Sequence, residues 1–277
     1  MDTKRWTAHA AAATAALVLL VGCADGTGVS GPAQVSLNFR VAGSGGPAAA
    51  PALVGGGPAL TDGPLPHIHV TGTNGTLTLD SLFIIINEVE LKRDDPSCDS
   101  VEVSGFDCGE FEAGPRFLKL PLDGQPIEAV TALIPPGNYK ELDFEVEDLE
   151  DDEGDPTEAA LIAALRAEIL AEIPDWPRKA SAVVMGSFAP SAGGSIDFRV
   201  FLEAEIEIEF ELLPRLVIDD QGAASRDITV DVSPDIWFRN PDGSVKELQV
   251  WDYDATGQLL EFEVEMEDGF TEIEFDD

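Results

Sequence analysis

Hydrophobic and polar residues alternate from Ile196 to Leu212. Ile196, Phe198, Val200, Leu202, Ala204, Ile206, Ile208, Phe210 and Leu212 face one way, while Glu203, Glu205, Glu207, Glu209 and Glu211 face the other. A period of two predicts a strand with one buried and one solvated face. Two more segments repeat the device. Leu142, Phe144 and Val146 oppose Glu141, Asp143, Glu145 and Glu147, and Leu260, Phe262, Val264 and Met266 oppose Glu261, Glu263, Glu265 and Glu267. Shorter patterns predict strands at 35–41, within 76–91, and at 117–122, 127–133, 181–189, 215–219, 227–232, 245–254 and 270–276, with Asp123-Gly124 as a turn. The expected interior includes Ile84, Ile86, Phe144, Val146, Phe198, Ile206, Ile208, Phe262 and Val264, and Trp237 reads as core.

One segment departs from this period. Asp155-Pro156-Thr157-Glu158 offers an N-cap, a proline in the first turn and an acid beside it; Ile162, Leu165, Ile169 and Ile173 then share a face until Pro174 and Pro177 intervene. This predicts a helical insertion at 155–173. The Gly, Ala and Pro-rich stretch at 43–66 has no strand pattern and reads as a loop. Many short strands broken by Gly and Pro, with a single helix, predict a mainly β chain: an antiparallel β-sandwich with one inserted α-helix.

Composition narrows the partners. The chain has 277 residues and 44% hydrophobic content, enough for a sizeable core, with 53 acids against 16 bases and a formal net charge of −37. That balance excludes a nucleic-acid surface built on phosphate neutralisation and disfavours bare anionic headgroups. Charged residues make up an ordinary 25%, so acids have replaced bases rather than been added to them. The sign fits an extracellular or cation-rich setting.

The N-terminus supplies an address. Lys4 and Arg5 precede an apolar run, Ala10 to Val21, that is too short to span a bilayer and ends in Leu20-Val21-Gly22-Cys23. This resembles a bacterial lipoprotein signal. The resemblance implies residues 1–22 as signal peptide and an acylated Cys23 anchoring the protein to the membrane; the Gly-rich stretch that follows reads as a tether at 23–33 and the rest as a domain at 34–277. Ala24 resembles the choice that directs such proteins to the outer membrane, facing periplasm or exterior. The alternative is a plain secretory signal. With Cys23 consumed by lipid, Cys98 and Cys108 remain as a pair for a disulfide in an oxidising compartment, the alternative being two free thiols.

The segment Ile134-Pro135-Pro136-Gly137-Asn138-Tyr139, leading into the strand from Leu142, resembles the edge of prealbumin-like sandwich domains. Here the prolines hold the chain extended, Gly137 turns it and Tyr139 covers the sandwich corner. Together with Ile86-Asn87-Glu88-Val89-Glu90, Gly186-Ser187-Phe188 and the signal, the order of features resembles bacterial lipoproteins catalogued as a domain of unknown function. That resemblance implies fold and location and no chemistry.

The sequence has neither a Gly-x-Ser-x-Gly elbow nor a His-Glu-x-x-His pair. Among so many acids, a pair for glycoside hydrolysis is not separable from background. A non-catalytic binding or adhesion module is therefore expected, for an extracellular carbohydrate or protein ligand, with a structural acidic lipoprotein or a hydrolase as alternatives. The acidic stripes have two explanations. Same-face carboxylates lie roughly 6.6 to 7 Å apart along a strand, inside a Debye length of roughly 8 Å. Glu205, Glu207 and Glu209 thus form either a solvated face or a face that binds a divalent cation such as calcium. A local calcium candidate runs from Asp252 through Asp254 and Thr256 to Glu263, which resembles an EF-hand loop in ligand spacing; the competing reading is a β-hairpin turning at Ala255-Thr256-Gly257. Trp251 and Tyr253 on one strand face offer a sugar-stacking pair or a sandwich cap. His67 and His69 read as half of a metal site or as exposed strand-edge residues.

Overall fold

The computed structural model describes residues 33–42, 66–94, 111–149, 156–218 and 225–276. The chain is mainly β, as the alternation predicts, with antiparallel and mixed sheets packed as a sandwich. The first sheet joins β1 (Ala33–Val41), β7 (Ile127–Ile134), β12 (Arg226–Val232) and β14 (Phe270–Asp276) in the order β14-β12-β1-β7, with β1 and β12 parallel. The second is built on β3 (Gly75–Ile86). It runs from β2 (Ile68–Gly72) through β3 and β9 (Ala182–Pro190) to β10 (Ile196–Glu203) and the short β13 (Leu260–Glu261), and β6 (Arg116–Lys119) pairs with the far half of β3. The third sheet is antiparallel, in the order β11 (Ile206–Ile218), β8 (Gly137–Val146), β4 (Val89–Arg93) and β5 (Phe111–Ala113).

The long alternating run does not form one strand. It turns a corner at Ala204-Glu205, passing from the second sheet into the third while keeping its inside and outside faces. Ser181 holds the corner, its Oγ accepting from the Ala204 N–H at 3.0 Å and donating to the Leu202 carbonyl at 3.2 Å. A second crossing at Asn87-Glu88 is sealed by backbone bonds: Asn87 N–H donates to the Glu145 carbonyl, and Glu145 N–H to that of Glu88. Period-two alternation is blind to such a bend because the buried set remains continuous.

The main core lies between the first sheet and the inner faces of the other two, where Phe39, Phe144 and Phe270 meet edge to face at 5.1 to 6.3 Å. A second apolar layer covers the outer face of the second sheet. Ile84 and Ile86 face the main core, whereas Ile85 packs with Leu149 and with Ile169 of α1 (Pro156–Glu172), which accounts for three isoleucines in a row. Tyr139 is fully buried at the edge of β8 and donates its hydroxyl to the Pro135 carbonyl at 2.9 Å, forming the corner expected of it. At Gly186 a side chain would overlap the Thr78 carbonyl, so β9 and β3 approach there without one.

The last third departs from expectation. The segments 245–254 and 258–267 are not long strands but a 3-10 turn at Leu248–Trp251, the helices α3 (Tyr253–Thr256) and α4 (Glu263–Asp268), and the two residues of β13. With α2 (Pro234–Phe238), they add three short helices to the one expected. Phe262 and Met266 are four apart, a spacing that one helix face satisfies as well as one strand face does. Both are buried, while Val264, expected inside, is 68% exposed. The other expected core residues are buried, with Ile206 partly so.

Candidate functional site

Pairing β8 with β11 sets the acidic stripes against each other. Glu207 lies opposite Glu145, Glu209 opposite Asp143 and Glu211 opposite Glu141. On the other side of β8, β4 brings Glu90 opposite Asp143 and Lys92 opposite Glu141. The outer face of the third sheet therefore carries carboxylates across three adjacent strands. Like charges directly opposed across a ladder destabilise it unless a cation intervenes.

Within this face Glu141, Asp143 and Glu209 converge, each placing a carboxylate oxygen within 4.8 Å of the others. The Lys92 ammonium bonds Glu141 Oε1 at 3.0 Å and also ion-pairs with Asp143 Oδ2. Asp143 is the unusual member, being only 4% exposed, and its Oδ1 receives no hydrogen bond from any described residue. Burial pushes its carboxyl up from the ordinary aspartate range; Lys92 opposes this, and the charges of Glu141 and Glu209 add to it. Burial acts to lower Lys92, but its hydrogen bonds to Asp143 and Glu141 outweigh that and hold the ammonium above its usual range. The directions differ because Lys92 keeps more contact with water and faces only opposite charge. Three carboxylates against one ammonium leave two negative charges uncompensated. Beside this face an open cleft of about 550 Å³ continues the acidity from Glu207 and Glu209 to Glu267 and Asp268.

Of the residues singled out from sequence, Glu207 and Glu209 lie on this face, with Glu205 exposed at the corner beside them. Glu141 and Asp143 belong to a stripe visible in the sequence, but their convergence on Lys92 needed the strand register. Asp252, Asp254, Thr256 and Glu263 are not gathered into a metal cluster among the described residues. Asp252 Oδ1 accepts the Arg199 backbone N–H at 3.0 Å, Asp254 ion-pairs with the Arg199 guanidinium, and the Thr256 hydroxyl donates to the Asp252 carbonyl. Glu263 instead opens α4. The segment is thus built of a 3-10 turn and two short helices rather than a hairpin, and its first two acids both contact Arg199 of β10.

Trp251 and Tyr253 do not share a strand face. Trp251 ends the 3-10 turn at 38% exposure, while Tyr253 begins α3 and packs edge-on against Phe201 with ring centroids 4.9 Å apart. His67 pairs with Asp80 and His69 with Thr78, both across the β2–β3 edge. Cys23, Cys98 and Cys108 lie outside the described residues. No described helix is long and apolar enough to cross a membrane.

Fold and face together define an acidic, mainly β sandwich with a candidate cation site on one sheet. No family model matches the chain, and no curated protein matches it. Among solved structures, MbnP from Methylosinus trichosporium is similar at 13% identity and a TM-score of 0.33, over 72% of this chain and 75% of that one. A likeness at that level carries no argument about function.

Proposed function

We propose that this protein is a non-catalytic binding module of the bacterial envelope, held to the membrane by lipid on Cys23, whose acidic sheet face takes up a divalent cation. The observation that supports this reading is the Glu141, Asp143 and Glu209 triad, with its nearly buried Asp143 and an oxygen that receives no hydrogen bond from a described residue. An all-oxygen donor set suits a hard cation, and calcium tolerates the irregular geometry of side chains projecting from two flat strands. In this reading Lys92 holds the triad together in the absence of metal and swings outward when the ion arrives. The bound ion then offers its remaining coordination positions to an extracellular carbohydrate or protein carboxylate.

The competing reading is a purely structural acidic lipoprotein, and Lys92 favours it by supplying a cation from within the fold. Calorimetry with calcium chloride, beside thermal melts in sodium chloride of equal ionic strength and in chelator, decides between them. The cation reading expects one saturable site per chain that Asp143→Asn abolishes and Lys92→Met tightens. A calcium effect no larger than that of sodium at equal ionic strength, unchanged in both variants, returns the face to a solvated surface.

A further inference from the structure

Trp251 differs from the other two described tryptophans. Trp176 and Trp237 each donate the indole N–H to a backbone carbonyl, of Ala180 and Met266, and pack edge-on against other rings. The Trp251 N–H has no acceptor among the described residues, its ring meets no other aromatic ring there, and the residue stays 38% exposed. Its backbone is nevertheless held. Leu248, at the start of the same 3-10 turn, is fully buried, and Asp252, which follows Trp251, accepts the Arg199 backbone N–H at 3.0 Å. The fold therefore presents this indole from a fixed base and leaves it uncovered, where a buried tryptophan finds partners for both ring and N–H.

The ring lines a hollow of about 240 Å³, whose apolar lining includes Leu248 and Phe262 and whose polar lining includes Lys246, Glu247 and Glu261. The Lys246 ammonium donates to Glu265 Oε1 at 2.8 Å and lies over the Phe262 ring, which leaves part of its three-donor capacity unused. Glu247 receives only long bonds, from Asn74 at 3.4 Å and Gln249 at 3.5 Å, and the Glu261 carboxylate has no partner among the described residues. Donor and acceptor capacity thus stand together at one hollow. A ligand carboxylate would meet the like charge of Glu247 and Glu261, a ligand cation would meet Lys246, and a plain alkyl chain would leave all three unmatched. A hydroxyl both donates and accepts, so it satisfies either kind of group. The indole adds a demand for an apolar face. A pyranose ring meets both demands, with C–H groups across one face and hydroxyls around its edge.

We propose that this hollow binds a neutral hexopyranose residue of a glycan, its C–H face on the Trp251 indole and its hydroxyls on Lys246, Glu247 and Glu261. An apolar lining with a few polar groups that fix orientation is the ordinary anatomy of a small-molecule site, and the volume falls below the roughly 300 to 1,000 Å³ of pockets for drug-sized ligands. The hollow shares no residue with the acidic triad or the cleft beside it, so the proposal does not rest on the cation reading.

The test is titration of the full chain, in chelator so that the acidic sheet face plays no part, followed by calorimetry and saturation-transfer NMR. The probes are the methyl glycosides of glucose, galactose, mannose and N-acetylglucosamine, beside the anionic methyl glucosiduronate and the cationic methyl glucosaminide. The proposal expects one saturable site per chain for at least one neutral glycoside, with saturation transfer strongest at the C–H protons of one ring face. Both charged glycosides should bind at least about tenfold more weakly than the best neutral one. Trp251→Ala should weaken that glycoside by about tenfold or more, and Trp251→Phe, which keeps a smaller ring, by less. If no neutral glycoside saturates, if a charged one binds as tightly, or if a folded Trp251→Ala variant keeps its affinity, the proposal is overturned. Should that variant fail to fold, as its circular dichroism melt would reveal, the one-face saturation pattern and the charge comparison on the unmodified chain still decide.

Discussion

Glu207 is the sharpest probe of whether the acidic face costs stability. It lies opposite Glu145 across the β8–β11 ladder, and Glu209 follows two residues along the same face. Taking about 5.5 Å for the opposed pair and about 6.8 Å along the strand, Coulomb's law in water gives about 0.75 and 0.6 kcal/mol of repulsion. With Debye lengths of about 30, 8 and 3 Å, the sum becomes about 1.1 kcal/mol at 0.01 M salt, 0.6 at 0.15 M and 0.2 at 1 M. Glu207→Gln removes the charge and keeps the shape, so it should stabilise the fold by about 1 kcal/mol at low salt, or about 2 to 4 °C in Tm for a chain of this size. Because the unfolded chain retains part of the same-strand repulsion, these values are upper estimates. Urea denaturation in chelator at the three salt concentrations measures the effect without adding ions. Glu168→Gln, on an exposed position of α1, serves as the control for charge removal in general. A Glu207→Gln variant that is neutral or destabilised at low salt, or whose gain persists at 1 M, would refute the repulsion argument.

Three further substitutions probe the frame around the site. Tyr139→Phe strips the hydroxyl that bonds the Pro135 carbonyl, and should cost about 1 to 2 kcal/mol in urea denaturation with an unchanged far-UV spectrum. Gly269→Ala drives a Cβ into the buried Trp237 indole, whose N–H donates to the Met266 carbonyl at 2.9 Å; a loss of about 2 to 3 kcal/mol with a weakened near-UV tryptophan signal is expected. Arg199→Met breaks the fork on Asp175, whose carboxyl Arg199 holds below the usual aspartate range, so the bridge contributes fully above the ordinary pKa of about 4 and is lost as pH falls through the lowered folded value. The variant should therefore be weaker than the parent by about 0.5 to 1 kcal/mol at neutral pH and equal to it in strong acid, as urea titrations across pH will show.

What the sequence makes legible is the inside and outside of each strand. Phe144, Val146, Phe198 and Ile208 are buried where the alternation puts them, and the glutamates between them face out. Pairing is not legible, because a period of two says which face a residue takes and nothing of which strand lies beside it. The convergence of Glu141, Asp143 and Glu209 on Lys92 comes from the β4-β8-β11 register, and Lys92 has no distinguishing mark in the sequence. The corner at Ala204 is hidden for a related reason: no Gly or Pro announces it, and a serine 23 residues earlier satisfies its backbone. At 258–267 the ambiguity is between periods, since Phe262 and Met266 fit both a strand and a helix, and only burial of the pair with exposure of Val264 separates them. The spacing of Asp252 and Asp254 resembled ligand geometry, but Arg199, over fifty positions away, meets both through tertiary packing.

Several of the bases clamp separate parts of the chain together. Arg40 of β1 grips Asp231 of β12 and Glu274 of β14, Lys92 of β4 grips two acids of β8, Arg199 of β10 joins Asp175 to Asp254 near α3, and Lys246 holds Glu265 of α4. Each of these joins segments that lie apart in sequence. From Ile206 to Leu212, β11 has no base of its own, and its partner β8 draws Lys92 from the far side of the sheet. This ladder thus sets Glu207, Glu209 and Glu211 directly against Glu145, Asp143 and Glu141. A formal charge of −37 spread over a surface would respond to any salt alike. Three carboxylates meeting at a nearly buried aspartate should instead respond to the valence and size of the cation, and for that reason dependence on calcium is to be sought at Asp143 and not in the acidity of the protein at large.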